Sequence, residues 1–277
     1  MDLLQYTSIT ITEFRSILKA IKERFDVDFN DYALVFLKRR LESFMAAYRY
    51  PTAESLINHI SRDDDFIHLF LREMLVESTE MFRDPSFWRY LRDFLFPKLI
   101  NENKTVRIAL PHCVSGDELY SLCIVLAENN WTHYTEIYAA TADPHFERNI
   151  RNGNFAPYKY EVSADNYLRY QGKFDFSKYC QQKDDMAVRD SSLVQHVHFL
   201  YNKNNSFEFL PDNIQLIIFR NQLIYYTQSL QDRVLKTFYD KLSKNGILAI
   251  GVREQLGIMS QQLFRIINES EHIYGKN

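Results

Sequence analysis

The chain has 277 residues, 46% of them apolar and 15% aromatic, enough to bury a core in one large domain or two modest ones. With 33 basic against 36 acidic side chains its formal net charge is -3, which gives no overall reason to bind nucleic acid or an anionic membrane. No apolar run approaches the roughly 18 residues of a membrane span, and Met1 to Thr12 lack the basic start and apolar block of a signal peptide, so a cytoplasmic protein is expected. Cys113, Cys123 and Cys180 lack paired spacing and suggest neither disulfides nor a zinc site.

Thr10 and Glu13 form a capping-box pattern, and Phe14, Ile17, Leu18 and Ile21 recur behind it at helical spacing, which predicts a first helix. A second runs from Asp31 to Tyr48 on Leu34, Leu37, Leu41, Phe44 and Met45, with Lys38, Arg39 and Arg40 in its middle. Pro51 interrupts the pattern, after which Ala53 to Ile60 and Asp64 to Leu75 supply two more helices. Residues 1–75 therefore read as a small all-helical domain and 76–277 as a larger one. Asp84-Pro85 starts a long helix that reaches about residue 100.

Beyond it the pattern alternates. Strand Val106 to Leu110, helix Asp117 to Glu128, strand Glu136 to Thr141 and a helix from Asp143-Pro144 to Gly153 are predicted in turn. A tyrosine-rich, irregular stretch runs from Phe155 to about Gln195. Buried strands follow at Val197 to Tyr201 and Ile214 to Phe219, then a helix from Ser229 to Ser243, a strand from Ile247 to Gly251, and a weaker helix with a tail. Such βαβ units with right-handed crossovers predict an α/β fold, a mostly parallel sheet flanked by helices.

Ligands of such a sheet bind beyond the carboxyl ends of its strands, here Pro111 to Glu118, Thr141 to Asp143, Asn202 to Asn205 and Arg220 to Tyr225. Glu118 either accepts hydrogen bonds from a ligand hydroxyl or ammonium, or is a first-turn glutamate favoured by the helix dipole. Arg220-Asn221-Gln222 emerges where a very apolar strand ends, which favours a site. Tyr225 either turns its hydroxyl into the cleft or packs. In the polar connection Glu77 to Asp84, Arg83 either holds a carboxylate or bridges Asp84 or Glu80. His112 and Cys113 read as packing residues rather than a ligand pair or catalytic dyad. The chain contains no GxSxG elbow, HExxH pair, Walker loop or lysine-centred kinase signature, which argues against hydrolases and phosphotransferases.

Taken together, these motifs resemble the chemotaxis receptor methyltransferase (CheR) family over nearly the whole chain. Glu77 to Pro85 looks like the family's Asn-x-Thr-x-Phe-Phe-Arg-Asp-Pro segment, and Arg107 to Ser121 is similar to its Arg-Ile-Trp-Ser-Ala-Gly-Cys-Ser-Thr-Gly-Glu-Glu-Pro-Tyr-Ser. Phe219 to Tyr226 resembles Cys-Arg-Asn-Val-Leu-Ile-Tyr-Phe, and Lys244-Asn245-Gly246 sits where the family has Pro-Gly-Gly or a variant. The resemblance implies a Rossmann-like fold with a small β subdomain inserted at 155–195, and transfer of a methyl group from S-adenosylmethionine to glutamates on the cytoplasmic helices of chemoreceptors. By the same resemblance Arg83 and Tyr225 would orient the substrate carboxylate. Thr79, Arg83, Glu118, Thr141, Asn204, Arg220, Asn221 and Gln222 would contact the cofactor, no metal is called for, and Lys38, Arg39 and Arg40 match the basic helix presented to acidic receptor helices. A solvated helix face explains that basic run equally simply.

Several cofactor positions depart from the family pattern. Glu77 replaces an asparagine, Thr141 the acidic residue expected on the ribose, Leu110-Pro111-His112 a run of small residues and Leu119 a proline. The asparagine expected after the third strand falls near Lys203 or Asn204. These departures motivate a second expectation, a relative of weakened or no catalysis that binds receptors or another protein.

Overall fold

A computed structural model describes residues 8–75, 79–183, 186–202 and 204–277; Glu77 and Lys203 lie outside them. The first four helices are α1 (Ile11–Phe25), α2 (Leu34–Ala47), α3 (Ala53–Ile60) and α4 (Phe66–Met74). Thr10 caps α1 through the reciprocal bonds of a capping box, and Thr52 starts α3 in the same way with Ser55. Their apolar stripes, Phe14, Ile17 and Ile21 on α1 and Leu37, Leu41 and Phe44 on α2, are buried together.

The long helix predicted from Asp84 is present with an interruption. Helices α5 (Pro85–Tyr90) and α6 (Phe96–Glu102) are joined by a π-helical turn, Leu91–Leu95, in which Phe96 N–H reaches back to the Leu91 carbonyl. Pro97 explains it: the ring lacks an N–H and crowds the carbonyl four residues earlier, so the ladder widens there instead of breaking.

The second region contains β1 (Val106–Leu110), α7 (Asp117–Glu128), β2 (Thr135–Thr141), α8 (Pro144–Arg151), β3 (Asn154–Phe155), α9 (Tyr160–Tyr170), β4 (Cys180–Lys183), β5 (Met186–Arg189) and β6 (His198–Tyr201). It continues with β7 (Ile214–Ile218), α10 (Gln228–Lys241), β8 (Leu242–Ala249), α11 (Ile258–Gln261), β9 (Phe264–Asn268) and β10 (Ile273–Lys276). Seven strands form one sheet in the order β6-β2-β1-β7-β8-β10-β9. The first five are mutually parallel, and β10 runs antiparallel to both β8 and β9. This is the mostly parallel, helix-flanked sheet of a Rossmann-like fold.

Alternation along the strands builds a core on each face. Val106, Ile108 and Leu110 pack with α5 and α7, whereas Ala109, Ile217 and Leu248 face α10 and the helical region, which shares one continuous core with that side. The chain leaves β1 toward β2 and β6, then returns to β7 on the other side. The crevice where a parallel sheet takes ligands therefore lies at the ends of β1 and β7.

Three segments differ from expectation; in one, residues 242–246, read as the end of a helix and its connection, already belong to β8. Residues 160–170 form α9 instead of an irregular stretch, because Ser163, Asn166, Tyr167 and Tyr170 recur at helical spacing and pack inward, a periodicity that polar side chains conceal. The β insertion is thus a three-stranded sheet, β3-β5-β4, with a helix of its own. The tail expected after the last strand is the antiparallel pair β9 and β10.

Candidate active site

The loop after β1 is fastened before it reaches α7. Cys113 N–H donates to the Ala140 carbonyl at 2.8 Å, and Gly116 caps the helix with φ +80°, where an added Cβ would meet Ile150 at 3.0 Å. Asp117 is buried and points away from the sheet end. Its carboxylate accepts from Lys159 Nζ at 2.7 Å, Arg189 Nη1 at 3.0 Å and Ser115 Oγ at 2.8 Å, tying the loop to the insertion. Glu118, with its side chain 14% exposed, turns the other way, to 3.4 Å from Arg220 Nη1.

Arg220 follows β7. Its side chain is 0% exposed, and its guanidinium lies 4.1 Å from the centre of the Phe87 ring. Besides Glu118 it donates to Asp84 Oδ2 at 2.5 Å and to the Arg83 carbonyl at 3.4 Å. One cation thus fastens the loop after β1, the loop after β7 and the connection at 83–84. Arg83 is half-buried, and its carbonyl also accepts from Trp88 Nε1 at 3.0 Å. Thr79 is buried in the same connection, its hydroxyl 3.4 Å from the Glu80 carbonyl.

Asn221 adopts a left-handed φ of 58° and is held by a residue that motif spacing did not single out. Buried Glu254 accepts from Asn221 N–H at 2.9 Å, Gly251 N–H at 2.6 Å and Ile224 N–H at 3.3 Å, stitching the loops after β7 and β8. Burial raises its pKa against the opposing pull of those donors. Only an acidic residue three positions after Gly251 hinted at it in the sequence. Gln222 is buried beside Asn221. Tyr225 stacks on Phe36 of α2 at 4.2 Å, and its carbonyl accepts from Ala33 N–H at 2.8 Å, so the helical region closes over this loop.

The ends of β2 and β6 form the other half. Thr141 is buried, with its hydroxyl on the Asp143 carbonyl at 3.2 Å, while Asn204 is exposed. Its neighbours Asn202 and Asn205 line a cavity of about 20 Å³ with Thr141, Pro111, His112, Asp28 and Tyr32. That is room for about one water. A cleft of about 610 Å³ opens beside the β1 loop, between Arg40 and Arg72 of the helical region and Asp117, Phe155, Lys159 and Arg189. Of the expected receptor-facing cations, Lys38 pairs with Glu42 at 2.5 Å and Arg40 donates to the Glu73 carbonyl at 2.9 Å; Arg39 is exposed.

The sheet is mostly parallel, and at its crossover point buried Arg220 gathers the partly exposed carboxylates of Glu118 and Asp84, in a chain whose larger part matches an S-adenosylmethionine-binding methyltransferase domain. The description "CheR methyltransferase, SAM binding domain" matches residues 77–273, and "CheR methyltransferase, all-alpha domain" matches 12–75; the chain belongs to the CheR methyltransferase family. It is 28% identical over 247 residues to "Putative methyltransferase Cher3" of Pseudomonas putida, covering 89% of this chain and 90% of that one. It is 23% identical over 241 residues to a chemotaxis protein methyltransferase of Listeria innocua, covering 86% and 88%. Among solved structures, TrmN of Thermus thermophilus aligns with a TM-score of 0.38 and 13% identity over 68% of this chain and 49% of that one.

The cofactor of this family is S-adenosylmethionine, and the donor set suits it. A carboxylate at the start of α7 has the charge to meet the cofactor's ammonium, and Asn202, Asn205 and Thr141 carry hydrogen-bonding groups of the kind an adenosine needs, but the cavity they line, about 20 Å³, holds about one water and would have to open to admit one. Among the described residues, no helix is long and apolar enough to cross a membrane.

Proposed function

We propose that this chain transfers a methyl group from S-adenosylmethionine to glutamate side chains on chemoreceptor helices. The observation that carries this reading is the Arg220 clamp, which gathers Glu118, Asp84 and the Arg83 backbone at the crossover point of the sheet. The chemotaxis names of relatives such as that of Listeria innocua support the substrate.

When bound, the cofactor supplies an electrophilic methyl group on a sulfonium centre. A glutamate is ionised near neutral pH and attacks without a general base, so the protein's task is to align the carboxylate and exclude water. Glu118 holds the ammonium of the methyl donor, with Thr79, Thr141, Asn204, Asn221 and Gln222 along the rest. Arg220 acts as a positioning residue, because its buried guanidinium fixes Glu118 from beneath. Arg83 pairs with the substrate carboxylate and Tyr225 donates to it, the Phe36 stack holding the phenol ring at the domain boundary. The cleft of about 610 Å³ is lined by Arg40, Arg72 and Lys159, whose charge favours docking of an acidic receptor segment at its mouth.

A second reading, a protein-binding relative of weakened catalysis, draws on the cavity of about 20 Å³ at the β2 and β6 ends and on Thr141 in place of a carboxylate. Calorimetry with S-adenosylmethionine and S-adenosylhomocysteine, followed by labelled-methyl transfer to receptor fragments, separates the two. Saturable binding with label on receptor glutamates is expected. No heat at millimolar ligand would sink the enzyme. Arg83→Ala is expected to abolish transfer and leave the circular dichroism spectrum unchanged; full activity in that variant removes Arg83 from the mechanism.

A further inference from the structure

Three metal-ligating side chains meet at the seam between the helical region and the sheet, away from the Arg220 clamp. His68 lies in the first turn of α4, Asp143 caps α8, and His145 is the second residue of that helix. The Nδ1 atoms of both rings face the Asp143 carboxylate: His68 Nδ1 bonds Oδ2, and His145 Nδ1 stands 3.1 Å from Oδ1. One donor atom from each residue lies within 4.8 Å of the others, and the two ring centres are 4.2 Å apart. We propose that His68, Asp143 and His145 form a transition-metal site that straps α4 of the helical region to the start of α8.

The donor chemistry selects the ion. Two imidazoles and one carboxylate suit Zn²⁺, Co²⁺ or Ni²⁺, whereas Ca²⁺ and Mg²⁺ require mainly oxygen ligands. A tetrahedral zinc site with bonds of about 2.0–2.1 Å needs only modest rotation of two partly exposed rings to gather these donors. Asp143 Oδ1 also accepts the His145 backbone N–H at 2.7 Å, so one oxygen keeps the helix cap while Oδ2 is the ligand. The carboxylate charge offsets the unfavourable dipole a cation meets at a helix start. Asp65 Oδ1 stands 4.0 Å from His68 Nε2, beyond hydrogen-bond distance, and adds only exposed negative charge at the far edge of the ring. Three protein ligands leave a position for water, as in sites that exchange their ion.

The location gives the site a consequence. Leu71 and Leu75, three and seven residues beyond His68, line the small cavity at the strand ends, and the Thr141 hydroxyl rests on the Asp143 carbonyl. An ion bridging α4 to α8 therefore fixes the wall that the helical region places over the β2 end.

The test uses the full chain, stripped with a chelator and titrated with ZnCl₂ in a calorimeter, with Co²⁺ absorption reporting nitrogen and oxygen ligation. One saturable site is expected, together with a chelator-reversible rise in melting temperature. His68→Ala and His145→Gln should each weaken binding by on the order of a hundredfold, while His196→Ala, a control elsewhere on the surface, leaves it unchanged. Absence of saturable Zn²⁺ binding overturns the site, and so does binding that both variants retain. If His68→Ala fails to fold, His145→Gln, which keeps the backbone cap and alters a half-exposed ring, decides alone.

Discussion

Arg220→Met is the most informative perturbation of the candidate active site. Methionine keeps an apolar stem of comparable reach over Phe87 but deletes a guanidinium whose side chain is 0% exposed and which donates to Asp84, Glu118 and the Arg83 carbonyl. Breaking a buried ion pair by removing one partner costs about 3–5 kcal/mol. Asp84 is 28% exposed and Glu118 14%, so water reaches both carboxylates in the variant and the cost belongs near the lower end, about 3 kcal/mol. At roughly 2 °C per kcal/mol for a chain of this size, the melting temperature should fall by about 6 °C. Loss of the fastening under Glu118 should also weaken S-adenosylhomocysteine about tenfold, equivalent to about 1.4 kcal/mol. Arg220→Lys keeps the charge but cannot span two carboxylates, and should lie between wild type and Met on both scales. Calorimetric melting and ligand titration read the two effects separately. Stability within about 1 kcal/mol of wild type in Arg220→Met, or a lysine variant as damaged as methionine, refutes the clamp.

Three further outcomes follow from the loops around it. Gly251→Ala would drive a Cβ to 2.6 Å from Asn221 Oδ1, 2.8 Å from Asn221 N and 2.9 Å from Glu254 Oε2, so it should displace Asn221 and strain the Glu254 staple, lowering the melting temperature and weakening S-adenosylhomocysteine in a calorimeter; unchanged affinity counts against Asn221 as a contact. Arg189→Met deletes the buried partner of Asp117 and should destabilise by about 3–5 kcal/mol, with faster amide exchange at 115–118 than at β7; uniform exchange would mean the insertion does not support that loop. Glu254 concerns pH. Its folded pKa is raised above the unfolded 4.5, so the stability it contributes is fully present below 4.5 and is lost as pH rises through the folded value. The stability of wild type relative to Glu254→Gln should therefore fall as pH climbs from 4.5, and a flat difference in urea denaturation across that window rejects the assignment.

Periodicity and capping residues carry much of the fold on their own. Val106 to Leu110 is the predicted strand to the residue, α1 begins behind the Thr10 capping box that marks it, and α3 spans the predicted Ala53 to Ile60 after Pro51, because these signals are local and a strand covered on both faces must be continuously apolar. Helix α9 escaped because its buried face is built from Ser163, Asn166 and tyrosines, whose inward packing depends on partners such as Glu128, 39 residues away from Tyr167. The closing β9 and β10 pair escaped for a similar reason: Ile273 and Tyr274 are strand residues only because β8 lies alongside them.

Sequence alone determined the alternation of strands and helices, the loops after β1, β2, β6 and β7, and the motif that names the family, since each is written in consecutive residues. Tertiary structure decided what those residues do. Arg220 lies buried beneath Glu118, Glu254 is the staple of two loops, and His68 meets Asp143 across 75 residues of chain. Charge pairing and metal ligation depend on distance in space, and only the folded sheet brings those groups within reach.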